Sequence, residues 1–219
     1  TCTECVTDAG CDDGDPCTSD TCVTGSGCRN VDTCGLTPIV FEGANTGTST
    51  GSSTVVTTAN VIAVPGDLYL AAISYKPNTT VTTVTGLGLT WTRLHAQCAG
   101  RGQTGVELWV AQGIPSGDSV VSAALAAAVE GAVIAVSRYS GVNASDPIGS
   151  FGSANSNGVG GACLGGIDGP AYSYDLPSAS AGSVVYGAAA MRHRTHAPGS
   201  GYHERIELAS GTDGSAAGL

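Results

Sequence analysis

Asp12, Asp13, Asp15 and Asp20 place four carboxylates within nine residues, with Gly14 free to make a sharp turn among them. Hard oxygen donors at this density suit calcium, which would also relieve the repulsion between like charges. The spacing does not complete an EF-hand register, so the competing reading is a solvated acidic loop held by cross-links. A second cluster joins His193, His196 and His203 to Glu204. There, Arg192 and Arg194 would repel a cation, and Pro198-Gly199 predicts a turn, so exposed loop histidines are expected instead of metal ligands. Only Cys2-Thr3-Glu4-Cys5 has the C-x2-C spacing of a zinc site, with no second pair to complete it.

Catalytic signatures are weaker still. A nucleophile triad needs a serine, a histidine such as His95 and an acid, but no G-x-S-x-G elbow stands between strand and helix. Glu107, Glu130, Glu204 and Glu207 show no local arrangement for paired-carboxylate hydrolysis. The expectation is a protein that is not an enzyme. Of the aromatic residues, Tyr69, Tyr75, Trp91, Trp109, Tyr139, Tyr186 and Tyr202 fall in strand-like patterns, where core packing is the default. Tyr172 and Tyr174, before Pro177, are the better candidates for stacking on sugar. Asn78-Thr79-Thr80 and Asn143-Ala144-Ser145 are glycosylation sequons in predicted loops, so sugar attached to the chain is a further expectation.

These groups are carried by two unlike stretches of chain. Seven of nine cysteines and seven of eighteen acidic residues precede Gly35, against Arg29 alone. Cys5, Cys11, Cys17, Cys22, Cys28 and Cys34 recur every five or six residues, which predicts a disulfide ladder whose connectivity spacing does not fix. Residues 1–35 are therefore read as a disulfide-stapled acidic module, too short to build a core unaided, and residues 36–219 as the main domain. Cys98 and Cys163 are expected to bridge, which leaves Cys2 odd, as a free thiol or a link to a neighbour. Dense disulfides imply a secreted or cell-surface protein, already processed at Thr1. A net charge of −10 excludes a nucleic-acid footprint, and the most apolar run, residues 120–136, is broken by Glu130 and Gly131, so no membrane span is expected.

From Pro38 onward, short β-branched and aromatic runs alternate with Gly, Ser, Asn and Pro. Strands are predicted at 39–42, 54–64, 68–76, 81–84, 90–97, 106–111, 119–125, 132–139, 183–192 and 202–208, giving an all-β, antiparallel, jelly-roll-like sandwich. Residues 68–75 are apolar on both faces and should form a central strand covered on both sides. The alanine-rich 123–129 stretch could turn as a helix, but strand, turn, strand is expected. The Gly-rich region 149–169 is read as a surface excursion.

The motif C-x-DG-x-PC-x-x-D-x-C, carried by Cys11, Asp13, Gly14, Pro16, Cys17, Asp20 and Cys22, resembles a Cys-rich repeat of slime-mould and myxobacterial secreted proteins. The resemblance implies an extracellular spacer or interaction module. PGDLYLAAISY at 65–75, GLTWTRL at 88–94, GVELWVA at 105–111, SRYSGVNASDPIG at 137–149 and ASGTDGSAAGL at 209–219 look like a secreted bacterial jelly-roll-like sandwich family. That family carries over no catalytic residues, and its last motif leads into one further strand. The expectation is that continuing chain or a neighbouring molecule supplies this edge strand, as in donor-strand complementation. The Thr-rich segment 36–58 is the candidate donor, and head-to-tail donation would produce a filament. The alternative is a carbohydrate-binding or adhesion module of a surface protein.

Overall fold

The computed structural model describes residues 5, 7–15, 17–23, 25–32, 37–167, 169, 171–176, 182–191, 195–211 and 217–218. Cys2, Cys34, His193 and both flanking arginines lie outside this set.

The N-terminal module is a hairpin, β1 (Thr18–Val23) with β2 (Gly27–Asp32), preceded by a single 3-10 turn at Asp8–Gly10. Of its described residues only Cys11 is buried, so among them there is no hydrophobic core. Disulfides take that role: Cys5 bonds Cys22 and Cys11 bonds Cys28, each closing a loop across 17 positions. Chain-entropy loss on closing loops of this length stabilises by about 3 kcal/mol apiece. Cys17 is disulfide-bonded as well.

The larger part is an antiparallel β-sandwich built from β3 (Val40–Thr57), β4 (Leu68–Lys76), β5 (Val81–Thr85), β6 (Thr92–Cys98), β7 (Gly105–Gln112) and β8 (Ser122–Ser140). The strands pair in the order β3, β8, β4, β7, β6, with β5 also on β8. Both layers arise because β3 and β8 form one long ribbon that folds over. Residues 40–50 pair with 131–140 in the five-stranded layer, and residues 55–57 pair with 122–124 in the second. β5 joins that same stretch of β8, making the second layer three strands wide. The fold in the ribbon lies where the register slips between Thr50 and Ser53, at Gly51 and Ser52, both with positive φ. Bulges of this kind bend a strand and increase its twist.

Between the layers sits the main core. Tyr69, Ala71, Ile73 and Tyr75 of β4 meet Trp109 of β7, Val81 and Val84 of β5, and Leu125, Val129, Ile134 and Val136 of β8. The opposite face of β4 is also covered. Ala72 packs with Val133, Ala135, Ala188, Ile206 and Leu208, while Leu68 and Leu70 join Phe41, Tyr139, Ile148 and Tyr186. The double apolarity of β4 is thus answered by burial of every residue from Leu68 to Tyr75.

Six strand expectations are corrected. The strands read at 119–125 and 132–139 are one strand, β8, whose exposed residues 126–128 form an elbow instead of a turn or helix. Residues 40–42 and 54–57 of the strands read at 39–42 and 54–64 belong to the single strand β3, because Gly, Ser and Thr between them pair with β8 despite their loop-like composition, while 58–64 form no strand beyond a bridge from Val61 to Ser119. Residues 183–191 and 202–208 form no ladder. Tyr186, Ala188, Ile206 and Leu208 pack on the sheet's outer face while Val184, Val185 and Tyr202 are exposed, so the apolar pattern there reports partial burial without backbone pairing. The excursion contributes only a two-residue hairpin, Ala154–Asn155 with Gly158–Val159.

Candidate functional site

In the acidic loop, aspartates fold the backbone around themselves. Asp12 Oδ1 accepts the Gly14 N–H at 2.8 Å, Asp13 Oδ1 that of Asp15 at 2.9 Å, and Asp15 Oδ1 that of Cys17 at 2.9 Å. These turns use glycine's tolerance of positive φ at Gly14, where φ is 76°. Asp13 also receives the Thr18 hydroxyl at 2.8 Å and Asn30 Nδ2 at 2.7 Å. The backbone N–H of Asp15, then the Thr18 hydroxyl, hold the Asp13 carboxyl below its ordinary range. One carboxylate oxygen from each of Asp12, Asp13 and Asp20 converges within 4.8 Å. Asp15 is not part of this convergence. Asp20 Oδ2 accepts the Asp13 N–H at 3.3 Å, while its Oδ1 is buried without a hydrogen-bond partner.

The histidines do not assemble a metal centre among the described residues. His196 donates its backbone N–H to Glu207 and its ring stands edge-on to Tyr172, whereas His203 and Glu204 are exposed. Cys5, whose spacing to Cys2 suggested zinc, is consumed in a disulfide. Tyr172 and Tyr174 are exposed, and so is Tyr202, which had been read as core because a strand was predicted there.

His95 Nε2 lies 2.8 Å from Ser153 Oγ, the spacing of a nucleophile and its base. The surrounding bonds fix the opposite polarity. Gln97 Nε2 donates to the carbonyls of Cys98 and Gly161, which leaves Gln97 Oε1 as an acceptor for the Ser153 hydroxyl at 2.6 Å. The only serine proton is therefore spent on Gln97, and His95 must donate through Nε2. A histidine protonated at that nitrogen cannot withdraw a proton from Ser153. This cluster serves instead to seat the excursion. Asn155 and Asn157 cap the carbonyls of Cys98, Gly100, Gly161, Ala162 and Leu164, and Cys98 bonds Cys163. β6 thereby carries its own cover.

Glu107 is fully buried on the core face of β7. Its Oε1 accepts the Val81 N–H at 2.7 Å and the Tyr75 hydroxyl at 3.1 Å, and Oε2 accepts Trp109 Nε1–H at 3.1 Å. The Arg93 guanidinium approaches Oε2 at 3.7 Å from a half-exposed position. One carboxylate therefore ties β4, β5, β6 and β7 together across the two layers. No motif in the sequence foretold it.

The sheet ends differ in protection. At β3 the chain doubles back and Ala59 donates its N–H to Thr46 O at 2.9 Å. β5 has β8 as its sole strand partner among the described residues, carries no charge, and exposes Thr82, Thr83 and Thr85. Uncharged, uncovered edges of this kind are templates for pairing with another chain. No described helix is long and apolar enough to cross a membrane. No protein family, curated protein or solved structure matches the chain.

Proposed function

We propose that this chain is a non-enzymatic extracellular structural protein whose sandwich polymerises into a surface filament by accepting a strand from a neighbouring copy. The observation that carries this reading is the β5 edge of the three-stranded layer, which beyond the Val81 N–H held by Glu107 has no second strand among the described residues and exposes Thr82, Thr83 and Thr85, set beside edges at β3 and β6 that carry cover from their own chain. Acceptor edge and donated strand are different surfaces, so each contact is heterologous and the assembly propagates head to tail. Within 36–58, the donor expected from sequence, residues 40–57 pair with their own β8 and would have to leave that ladder to be donated. The disulfide-stapled module supports an oxidising exterior.

Electron microscopy of purified protein should show ordered fibrils. Thr83→Lys combined with Thr85→Lys is expected to abolish them while changing monomer stability by less than about 0.5 kcal/mol, since both side chains are exposed. Fibrils that persist in this variant would remove β5 from the contact.

Calcium belongs to the same reading. Three convergent carboxylate oxygens, one each from Asp12, Asp13 and Asp20, supply up to half of the six to eight oxygens that calcium takes, and Asp20 Oδ1 is left without a hydrogen-bond partner. At a hundredfold excess over Kd, the ion is expected to stabilise the module by about 2.7 kcal/mol, and Asp20→Asn to remove the effect. Calorimetry with millimolar calcium against chelator tests it, and equal unfolding temperatures in the two would discard the ion.

A carbohydrate-binding or adhesion module is the second reading, favoured by the exposed rings of Tyr172 and Tyr202. Binding on a glycan array that disappears in Tyr172→Ala, together with dispersed particles in the microscope, would put it first.

A further inference from the structure

The two sequons stand in different surroundings. At Asn78 the carboxamide oxygen is packed down over Gly105: a Cβ built there would strike Asn78 Oδ1 and lie 2.6 Å from the Tyr75 ring. Asn143 is exposed, as Asn78 also is, but it stands in the loop that follows β8, and its Oδ1 accepts the Ser145 N–H at 2.9 Å. That turn engages the oxygen and not Nδ2. Ala144, the middle residue of the sequon, lines an open groove of about 260 Å³ with Gly66, Gln112, Gly113 and Ile114. Gly66 and Gly113 form a floor without side chains, Gln112 Nε2 is bound to Gly66 O, and Ile114 stands 83% exposed at the rim. An isoleucine so exposed beside a shallow, mostly apolar groove offers a surface for the apolar face of a pyranose, with Gln112 the one polar side chain beside it.

We propose that Asn143 is an N-glycan acceptor and that the first sugar lies in this groove against Ile114. The proposal rests on the extracellular reading above. In the transfer, Asn143 Nδ2 attacks the anomeric carbon of a lipid-pyrophosphate-linked oligosaccharide. The N–C bond forms, the bond from that carbon to the pyrophosphate oxygen breaks with its electron pair leaving on pyrophosphate, and Nδ2 gives up one proton.

The full chain, Asn143→Gln and Asn78→Gln are to be secreted from a host with an N-oligosaccharyltransferase and weighed intact before and after peptide-N-glycosidase in ¹⁸O water. The expected result is one oligosaccharide on the wild type, retained in Asn78→Gln and lost in Asn143→Gln, with an ¹⁸O-labelled aspartate at 143. Nuclear Overhauser contacts between the first sugar and the Ile114 methyls should accompany it. A secreted, disulfide-bonded chain with no sugar at Asn143 overturns the site while leaving the extracellular reading intact, and sugar without Ile114 contacts overturns the groove. A chain retained with free thiols overturns both the site and the reading.

Discussion

Replacing Glu107 by alanine is expected to cost about 3 to 5 kcal/mol of folding stability, the largest single-residue loss in the sandwich. The carboxylate has no exposure, and its removal strands the Val81 N–H, the Tyr75 hydroxyl and the Trp109 Nε1–H in the core. Each buried donor left unmet costs about 1 to 3 kcal/mol, and water cannot reach them without opening the seam between β5 and β7. Glu107→Gln should cost less, about 1 to 3 kcal/mol, since the amide keeps one acceptor oxygen but presents N–H to another donor. Urea denaturation followed by circular dichroism measures both. An alanine variant within 1 kcal/mol of wild type would show that the network does not hold the layers.

The same network sets an alkaline limit. Burial, then the charge of Glu107, push the Tyr75 hydroxyl far above its ordinary value near 10, and burial raises Tyr69, Tyr139 and Tyr186, the last to about 12. A raised folded-state value means the folded phenol keeps its proton while the unfolded one releases it. The stability due to these groups is therefore complete below pH 10 and declines above it, through pH 12 for Tyr186. Tyr75→Phe should flatten that decline even as it weakens the protein at neutral pH.

How far the sequence announced these features depends on the kind of signal each one leaves. β4 was legible because side chains on both faces of residues 68–75 are large and apolar, and a strand with two buried faces has to be central. The acidic loop was partly legible: Asp12, Asp13 and Asp20 do converge, but Asp15 is diverted to the Cys17 N–H, a local turn that composition does not reveal. β3 was hidden because its Gly, Ser and Thr run reads as loop, while the strand is imposed from outside by the valines and alanines of β8. Residues 183–191 and 202–208 misled in the other direction, since an apolar alternation that covers a sheet resembles one that joins it. Glu107 left no motif because, apart from Trp109 on its own strand, its partners come from three other strands and meet only in the folded sandwich.

Gly47→Ala is expected to be nearly as damaging as loss of the carboxylate, by about 3 kcal/mol, although it adds one methyl group to a strand rich in small polar residues. Where β3 doubles back, the new Cβ would fall on the Thr57 carbonyl oxygen, 2.5 Å from its carbon and 2.9 Å from Thr58 Cα. All three atoms are backbone, so no rotamer change relieves the clash. The displaced segment carries the Ala59 N–H to Thr46 O bond and the paired bonds between Thr58 and Val121, each 2.9 Å. Thr48→Ala, one residue away on the exposed face, should change stability by less than about 0.5 kcal/mol and serves as the control. The seam also covers the β3 edge, so prying it open bares a second strand edge besides β5. Gly47→Ala should therefore associate even when Thr83→Lys and Thr85→Lys have blocked β5, detected as oligomers by light scattering. If the triple variant is destabilised yet stays monomeric, Gly47 governs packing alone, and the pairing capacity of the sandwich resides in β5.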